Sequence, residues 1–271
     1  MSALAGFDAM FALPFVTGLL FALVLPALGM YLRLRDEWLA ALAFAQLAAA
    51  GSLVAAVAGA AQWVGALLSS ALAAGLKSLA ARRGNNAYAL FMLLGWSCGI
   101  LVLVNVPMAE HLGHALYDGQ LYFTDRSHLI AALALAIACA FALARLSQPL
   151  LLERMFPDYF AARGLSGRRY HLYFDLLTAA AVALATASIG VMGAFCLVFL
   201  PPAIAYRFGS NWRRGTLLAV AIGTVGYCAA FAAALALDQP FGPVLVVVLG
   251  ACTIGAEVIA ATITRSARDL G

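Results

Sequence analysis

The chain has 271 residues, of which 65% are hydrophobic and only 10% are charged, and its mean hydropathy is +0.97. A soluble domain of this length needs far more polar surface, and a disordered chain shows the opposite balance of apolar and charged residues. The net charge of +4 comes with no basic–aromatic RNA-binding motif. The composition therefore excludes these classes and indicates a membrane protein.

Nine apolar stretches of bilayer-spanning length, or close to it, follow one another along the chain. They cover residues 9–32, 38–61, 62–80, 88–107, 127–149, 172–190, 191–206, 215–236 and 243–263. We therefore expect one all-α domain, residues 1–271, built as a polytopic membrane bundle of eight or nine transmembrane helices. The lower number applies if the sixth and seventh stretches are partly re-entrant.

The basic residues predict the orientation of this bundle. If the loops after the first, third, fifth, seventh and ninth spans are cytoplasmic, fifteen of the sixteen Lys and Arg residues lie inside, and only Arg126 lies outside. Cytoplasmic loops of membrane proteins carry such an excess of Lys and Arg. We expect the N-terminus outside, the C-terminus in the cytoplasm, and a multi-pass protein of the inner (cytoplasmic) membrane.

The longest cytoplasmic loop, about residues 150–171, has the signals of a short helix. Pro157 suits a first helical turn, Asp158 complements the helix dipole there, and Gly164 is a natural stop. With Tyr159 and Arg163 between them, these residues predict an amphipathic helix on the membrane face. It is either an ordinary connector or the coupling helix through which a soluble ATPase drives a transporter.

No Gly-x-x-x-x-Gly-Lys-Ser/Thr motif occurs in the sequence, so the chain lacks that phosphate-binding loop. We expect no enzymatic activity and no bound cofactor. Any ATP that drives this chain would be hydrolysed by a partner subunit.

Three segments resemble the permease subunits of metal-cation ABC importers. Residues 190–208, Gly-Val-Met-Gly-Ala-Phe-Cys-Leu-Val-Phe-Leu-Pro-Pro-Ala-Ile-Ala-Tyr-Arg-Phe, resemble a span of that family with a glycine, an apolar run and Pro-Ala-Ala-x-Ala-x-Arg. Residues 238–244, Asp-Gln-Pro-Phe-Gly-Pro-Val, resemble its Pro-x-Gly-Pro turn before the last span. Residues 157–164 lie where that family has its coupling helix.

The resemblance implies uptake of zinc, manganese or iron(II) by a homodimeric permease. Its partners would be cytoplasmic ATP-binding subunits and an extracytoplasmic solute-binding protein. The second span departs from the family pattern of an Asp followed four residues later by a His, because Ala40 and Phe44 occupy the matching positions. Neither side chain can bind a divalent cation.

The outer loop between the fourth and fifth spans contains candidate metal ligands. In a helix, Glu110, His114 and Asp118 would share one face, with His111 adjacent, and imidazole with carboxylate suits Zn²⁺ or Mn²⁺. Asp125 and His128 follow. The loop is either a site of metal capture or a solvated surface on which the solute-binding protein docks.

Polar residues within the spans are candidates for a translocation pathway, because ionisable groups inside a membrane are costly. These candidates are Glu257, Gln46 and Asn105. For Glu257 the rival interpretation is an inter-helix hydrogen bond or a neutral acid near the cytoplasmic side. We expect Asp175, which lies near Arg168 and Arg169, to form an interfacial ion pair.

The sequence leaves a second function open, a proton-coupled secondary transporter. Such a protein needs several membrane-embedded carboxylates, and Glu257 alone argues against it. We therefore expect the permease subunit of an ABC importer, with zinc or another divalent transition metal, or a chelate of it, as substrate.

Overall fold

A computed structural model of the chain describes residues 2–79, 85–107, 113, 116, 117, 119, 121, 124–156, 158 and 167–269, with side chains described between residues 11 and 262. Within these residues the structure is helical and contains no strand. The eight helices are α1 (Ser2–Leu34), α2 (Leu39–Val57), α3 (Gln62–Leu79), α4 (Asn85–Asn105), α5 (Arg126–Met155), α6 (Arg168–Phe208), α7 (Trp212–Leu237) and α8 (Phe241–Asp269). All except α3 are long and apolar enough to cross a bilayer. The predicted polytopic helical bundle is confirmed.

Helix α3 runs beside α2 along its full length, although its composition is more polar. Near the outer end the two backbones touch, since a Cβ atom on Gly65 would collide with the carbonyl oxygen of Gly51. Further along, the Ser70 hydroxyl donates to the Phe44 carbonyl oxygen at 3.1 Å. Lys77 reaches Glu37, just before α2, at the other end. Helix α3 therefore spans the same thickness as α2, and small residues let them pack closely.

Helix α6 contains a sharp reversal at Gly190. This residue has φ 80° and ψ 167°, outside the helical region, in the middle of a 41-residue element. Near the start of α6, Phe174 packs on Tyr31 with ring centroids 5.9 Å apart. Near its end, the Tyr206 ring lies 5.6 Å from the Arg33 guanidinium carbon. A straight helix of this length would measure about 60 Å, so these contacts require two antiparallel halves.

We call the two halves α6a, residues 168–189, and α6b, residues 191–208. They correspond to the sixth and seventh predicted spans, which the backbone joins through a single non-helical residue. With α6 counted as two halves, the seven helices that are apolar enough give eight candidate crossings among the described residues, and α3 packs beside them. Both ends of α6 lie beside the end of α1, the end that the distribution of basic residues places in the cytoplasm.

The core of the bundle lies where α1, α2, α6 and α7 meet. Its largest fully buried side chains include Phe21, Phe44, Phe174 and Tyr227. The Tyr227 hydroxyl crosses the core to donate to the Phe15 carbonyl oxygen at 3.0 Å. The outward faces of α4, α5 and α8 carry exposed leucine, isoleucine and valine. This arrangement suits a protein whose outer surface faces lipid.

We expect Gly190→Ala to destabilise the fold. The residue occupies a backbone region that only glycine adopts readily, which costs other residues about 1–3 kcal/mol. An added Cβ would also lie 2.7 Å from the Gly119 backbone nitrogen. The midpoint of thermal unfolding in detergent should fall. The matched control is Gly193→Ala, where the nearest atom to an added Cβ is 3.6 Å away. Equal midpoints for both variants would contradict this account of the reversal.

Candidate functional site

A cluster of four buried charges, Arg35, Glu37, Lys77 and Asp175, joins three parts of the bundle at its cytoplasmic end. Arg35 contacts Glu37 at 2.6 Å and Asp175 at 2.7 Å. Lys77 contacts the same two carboxylates, each at 2.8 Å. The four side chains are between 2% and 6% exposed. Each cation therefore binds both anions, and the cluster is neutral as a whole.

The ammonium group of Lys77 is surrounded by acceptors. It donates to both oxygens of Glu37 and to Oδ2 of Asp175, all at 2.8 Å. Its nitrogen also lies 4.8 Å from the centroid of the Tyr88 ring. Arg35 lies over the Phe174 ring at 5.2 Å. These hydrogen bonds and aromatic faces replace the water that the charges lose on burial.

Electrostatics keeps the Arg35 guanidinium charged in this setting. Burial alone would lower the pKa of Arg35, but the carboxylates of Asp175 and Glu37 outweigh burial and raise the pKa above its ordinary value. A buried cation can persist when it is paired and hydrogen-bonded in this way.

The partners of Asp175 differ from those that the sequence led us to expect. An ion pair does form, but with Arg35 and Lys77 rather than with Arg168 or Arg169. Arg168 instead donates to the Ser78 carbonyl oxygen at 2.6 Å. The sequence contains a signal for the cluster, namely acidic residues at the cytoplasmic ends of spans beside basic ones. Arg35 and Lys77 also fit the positive-inside pattern, so the sequence alone does not distinguish ion-pair partners from topology signals.

The helix ends that flank the long cytoplasmic loop are fastened to each other. Glu153, near the end of α5, contacts Nε2 of His171, in the first turn of α6a, at 2.8 Å. Glu153 also lies against Gly167, since a Cβ atom there would meet its carboxylate. The loop therefore starts and ends at one place, and α6a is bound to α3, α5 and the α1–α2 connector.

Most of the predicted coupling residues lie outside the described residues. This holds for Pro157, Tyr159, Arg163 and Gly164, whereas Asp158 is described and is exposed. The predicted coupling role of all five remains a prediction.

The four candidate metal ligands of the outer loop, Glu110, His111, His114 and Asp118, also lie outside the described residues. Two described residues near them, Tyr117 and Gly119, lie at the reversal of α6. Tyr117 packs on Trp96 with ring centroids 5.4 Å apart, and a Cβ atom on Gly119 would lie 2.6 Å from the Ile189 carbonyl oxygen. Tyr117 and Gly119 thus lie at the outer end of the α6 hairpin.

Asp125 and His128 form a helix cap at the start of α5. Oδ1 of Asp125 accepts from the backbone nitrogens of Ser127 and His128 at 3.0 and 3.1 Å, and it contacts Nδ1 of His128 at 2.7 Å. Hydrogen bonds from Ser127 and His128 lower the pKa of Asp125. Capping of the exposed backbone N–H groups accounts for this pair.

The two positions at which the resemblance leads us to expect an Asp and a His are buried within the bundle. Ala40 and Phe44 are both fully buried, and Phe44 makes an edge-to-face contact with Tyr88 at 5.6 Å. Gln46, on the same helix, is 3% exposed, and its side-chain oxygen has no hydrogen-bond partner among the described residues. Such a group is costly to bury.

The other two candidate pathway residues are exposed. Asn105 lies at the end of α4 and donates to the Leu101 carbonyl oxygen at 2.7 Å. Glu257 is 55% exposed and contacts Arg207, near the end of α6b, at 3.1 Å. Among the described residues, no group of three His, Cys, Asp or Glu side chains could hold a metal ion.

The family profile for the ABC 3 transport family matches residues 7–260. The chain belongs to this family. Membership of the ABC 3 transport family agrees with the resemblance found in the motifs, and it identifies the bundle as the membrane part of a transporter. No curated protein sequence matches the chain significantly.

Two solved structures share the fold of this ABC 3 family member. One is PsaBC from Streptococcus pneumoniae in complex with Fab, with TM-score 0.80 and 16% identity over 94% of this chain and 95% of that chain. The other is a transporter described as of the metal-chelate ABC type, in an inward-facing conformation. It has TM-score 0.70 and 17% identity, over 93% of this chain and 85% of that chain.

We expect Asp175→Asn to destabilise the protein by about 3 kcal/mol, because removing one partner from a buried ion cluster leaves charge without compensation. The amide cannot neutralise Arg35 and Lys77 together. The midpoint of thermal unfolding of the purified chain should therefore fall. The matched control is Asp36→Asn, which neutralises an exposed carboxylate next to Glu37. If both variants unfold at the midpoint of the parent protein, the cluster contributes no net stability.

Proposed function

We propose that this chain is the membrane-spanning subunit of an ABC importer for zinc or another divalent transition metal, taken up as the ion or as a chelate. The match of the ABC 3 family profile to residues 7–260 carries the proposal. Two further observations support it. The fold matches PsaBC with TM-score 0.80, and it matches a transporter described as of the metal-chelate type.

We propose three partners for the chain in the inner membrane. The missing phosphate-binding motif requires a separate ATP-binding subunit, and the loop between Met155 and Gly167 offers it a contact on the Arg-rich face. An extracytoplasmic solute-binding protein would deliver substrate to the opposite face. A second copy of the chain would complete the pathway, because the core of one protomer is filled by side chains such as Phe21, Phe44 and Phe174.

The buried state of Ala40 and Phe44 bears on the form of the substrate. With these residues in the core, the second span presents no ligand at the depth where the family has its Asp and His. A divalent ion without protein ligands would keep its hydration or chelator shell, because transfer of a bare charge into an apolar medium is prohibitively costly. We therefore favour a chelated metal over a bare ion.

The alternative of a proton-coupled transporter is disfavoured by the placement of the carboxylates. Glu37 and Asp175 are each bound by two cations, and Glu257 is half-exposed beside Arg207. All three carboxylates are therefore held in ion pairs with basic residues near helix ends.

Reconstitution tests the proposed function. The purified chain alone should hydrolyse no ATP. With its cytoplasmic ATPase and solute-binding protein in vesicles, it should show ATP-dependent accumulation of radioactive zinc, measured with and without a metal chelator such as histidine. Robust ATP hydrolysis by the lone chain, or accumulation driven by a proton gradient without ATP, would contradict the proposal.

A second prediction concerns capture of metal at the outer loop. Loss of groups that support a metal site costs about 10- to 100-fold in affinity, so we expect His111→Ala/His114→Ala to reduce zinc uptake at low metal concentration by about tenfold or more. Uptake at high concentration should recover. Glu257→Gln is the comparison, and it should leave uptake near the parent level. Normal uptake by the double variant together with loss of uptake in Glu257→Gln would place the capture site inside the membrane.

A further inference from the structure

Lys77 is the only lysine in the chain, whose fifteen other basic residues are arginines. The positive-inside rule does not distinguish Arg from Lys, so topology does not explain this exception. The site does explain it. Three acceptor oxygens from two residues converge on one nitrogen, and a compact ammonium group meets this geometry better than the planar fork of a guanidinium. The three acceptor oxygens therefore match the three N–H donors of the Lys77 ammonium group.

The cluster lies close to the end of the loop between Met155 and Gly167, on which we propose that the ATPase acts. We call this segment the coupling loop. Helix α6a begins at Arg168, immediately after that loop, and Asp175 is two turns further along the same helix. Asp175 connects α6a to Arg35, in the α1–α2 connector, and to Lys77, near the end of α3. A displacement of the loop that moves the start of α6a must either move these elements with it or separate Asp175 from both cations.

The energetics of a buried ion cluster suit a contact that breaks and re-forms. The attraction between the charges is offset to a large extent by the cost of removing them from water. When the cluster separates at the cytoplasmic end, water can enter and solvate all four groups. The free energy lost by removing them from water is then recovered. An apolar contact would gain nothing comparable from hydration. A buried ion cluster at this end of the bundle therefore suits two arrangements, one closed and one open to water.

We propose that Arg35, Glu37, Lys77 and Asp175 form a cytoplasmic latch, closed in this conformation, that opens when an ATPase moves the coupling loop during transport. The latch rests on the proposed function, since it needs a partner ATPase. It positions α6a and does not contact substrate. Its opening frees the start of α6a from α3 and from the α1–α2 connector.

The unique lysine allows the latch to be observed in the unmodified protein. A membrane-impermeant acylating reagent reacts with exposed amines, and mass spectrometry of peptides distinguishes Lys77 from the N-terminal amine and from the partners' lysines. The reconstituted complex is labelled without nucleotide and after trapping with ATP and vanadate. We expect the rate of Lys77 acylation to differ at least fivefold between the two states. The Lys77→Arg variant has no amine at position 77, so it gives the background signal for the labelled peptide.

A neutral double variant separates a latch from simple structural support. Lys77→Met/Asp175→Leu removes one charge of each sign and leaves the Arg35–Glu37 contact in place, so no charge is left without a partner. Apolar replacement of a buried ion pair is often neutral or stabilising, and we expect the thermal midpoint to stay at or above that of the parent. Uptake per ATP hydrolysed should nevertheless fall at least fivefold, whereas Asp36→Asn should keep the parent ratio.

The outcomes distinguish the two proposals. If the parent complex shows no ATP-dependent uptake, the proposed function is wrong and the latch is wrong with it. If the parent transports but Lys77 labels equally in both states, or the stable double variant keeps the parent ratio of uptake to hydrolysis, the cluster is a static contact. The latch is supported only when labelling changes with nucleotide and the double variant loses coupling.

Discussion

The reversal at Gly190 is the constraint on which the rest of the arrangement depends. Because the chain turns back there, both ends of α6 lie at the cytoplasmic end of the bundle, beside Tyr31 and Arg33. The start of α6 then meets the α1–α2 connector and α3, while its end reaches α8 through Arg207 and Glu257. A straight helix would separate these contacts by about 50 Å. One residue in a glycine-only conformation therefore brings the charged helix ends together.

The charges gathered in this way serve different purposes according to their surroundings. Asp125 and His128 at the outer surface cap a helix, whereas Glu37 and Asp175 are buried and each contacts two cations. A capping pair adds local stability and can be lost with little consequence elsewhere. A buried cluster links separate elements, and loss of one member affects all of them. The latch proposal follows from this difference and from the direct connection of α6a to the long cytoplasmic loop.

The substrate proposal has a different physical basis. It rests on two positions of the second span, 40 and 44, whose side chains cannot bind a metal ion. Family permeases are expected to present an Asp and a His in the second span, but Ala40 and Phe44 instead contribute to the packed core. The ABC 3 family membership identifies the class of machine, while these two positions bear on the form in which a metal would cross. A chelate carries its own ligands, so it does not require protein groups at that depth.

The sequence by itself determined the class, the span pattern and the family, because apolar length, basic-residue asymmetry and the Pro-Pro-Ala-Ile-Ala-Tyr-Arg segment are local features that can be read along the chain. It also contained Arg35, Glu37, Lys77 and Asp175, but their separation by up to 140 residues concealed that they meet. Only the tertiary structure decided this, because the pairing of distant charges depends on which helix ends share a depth. The break at Gly190 and the close packing of α2 on α3 set those depths.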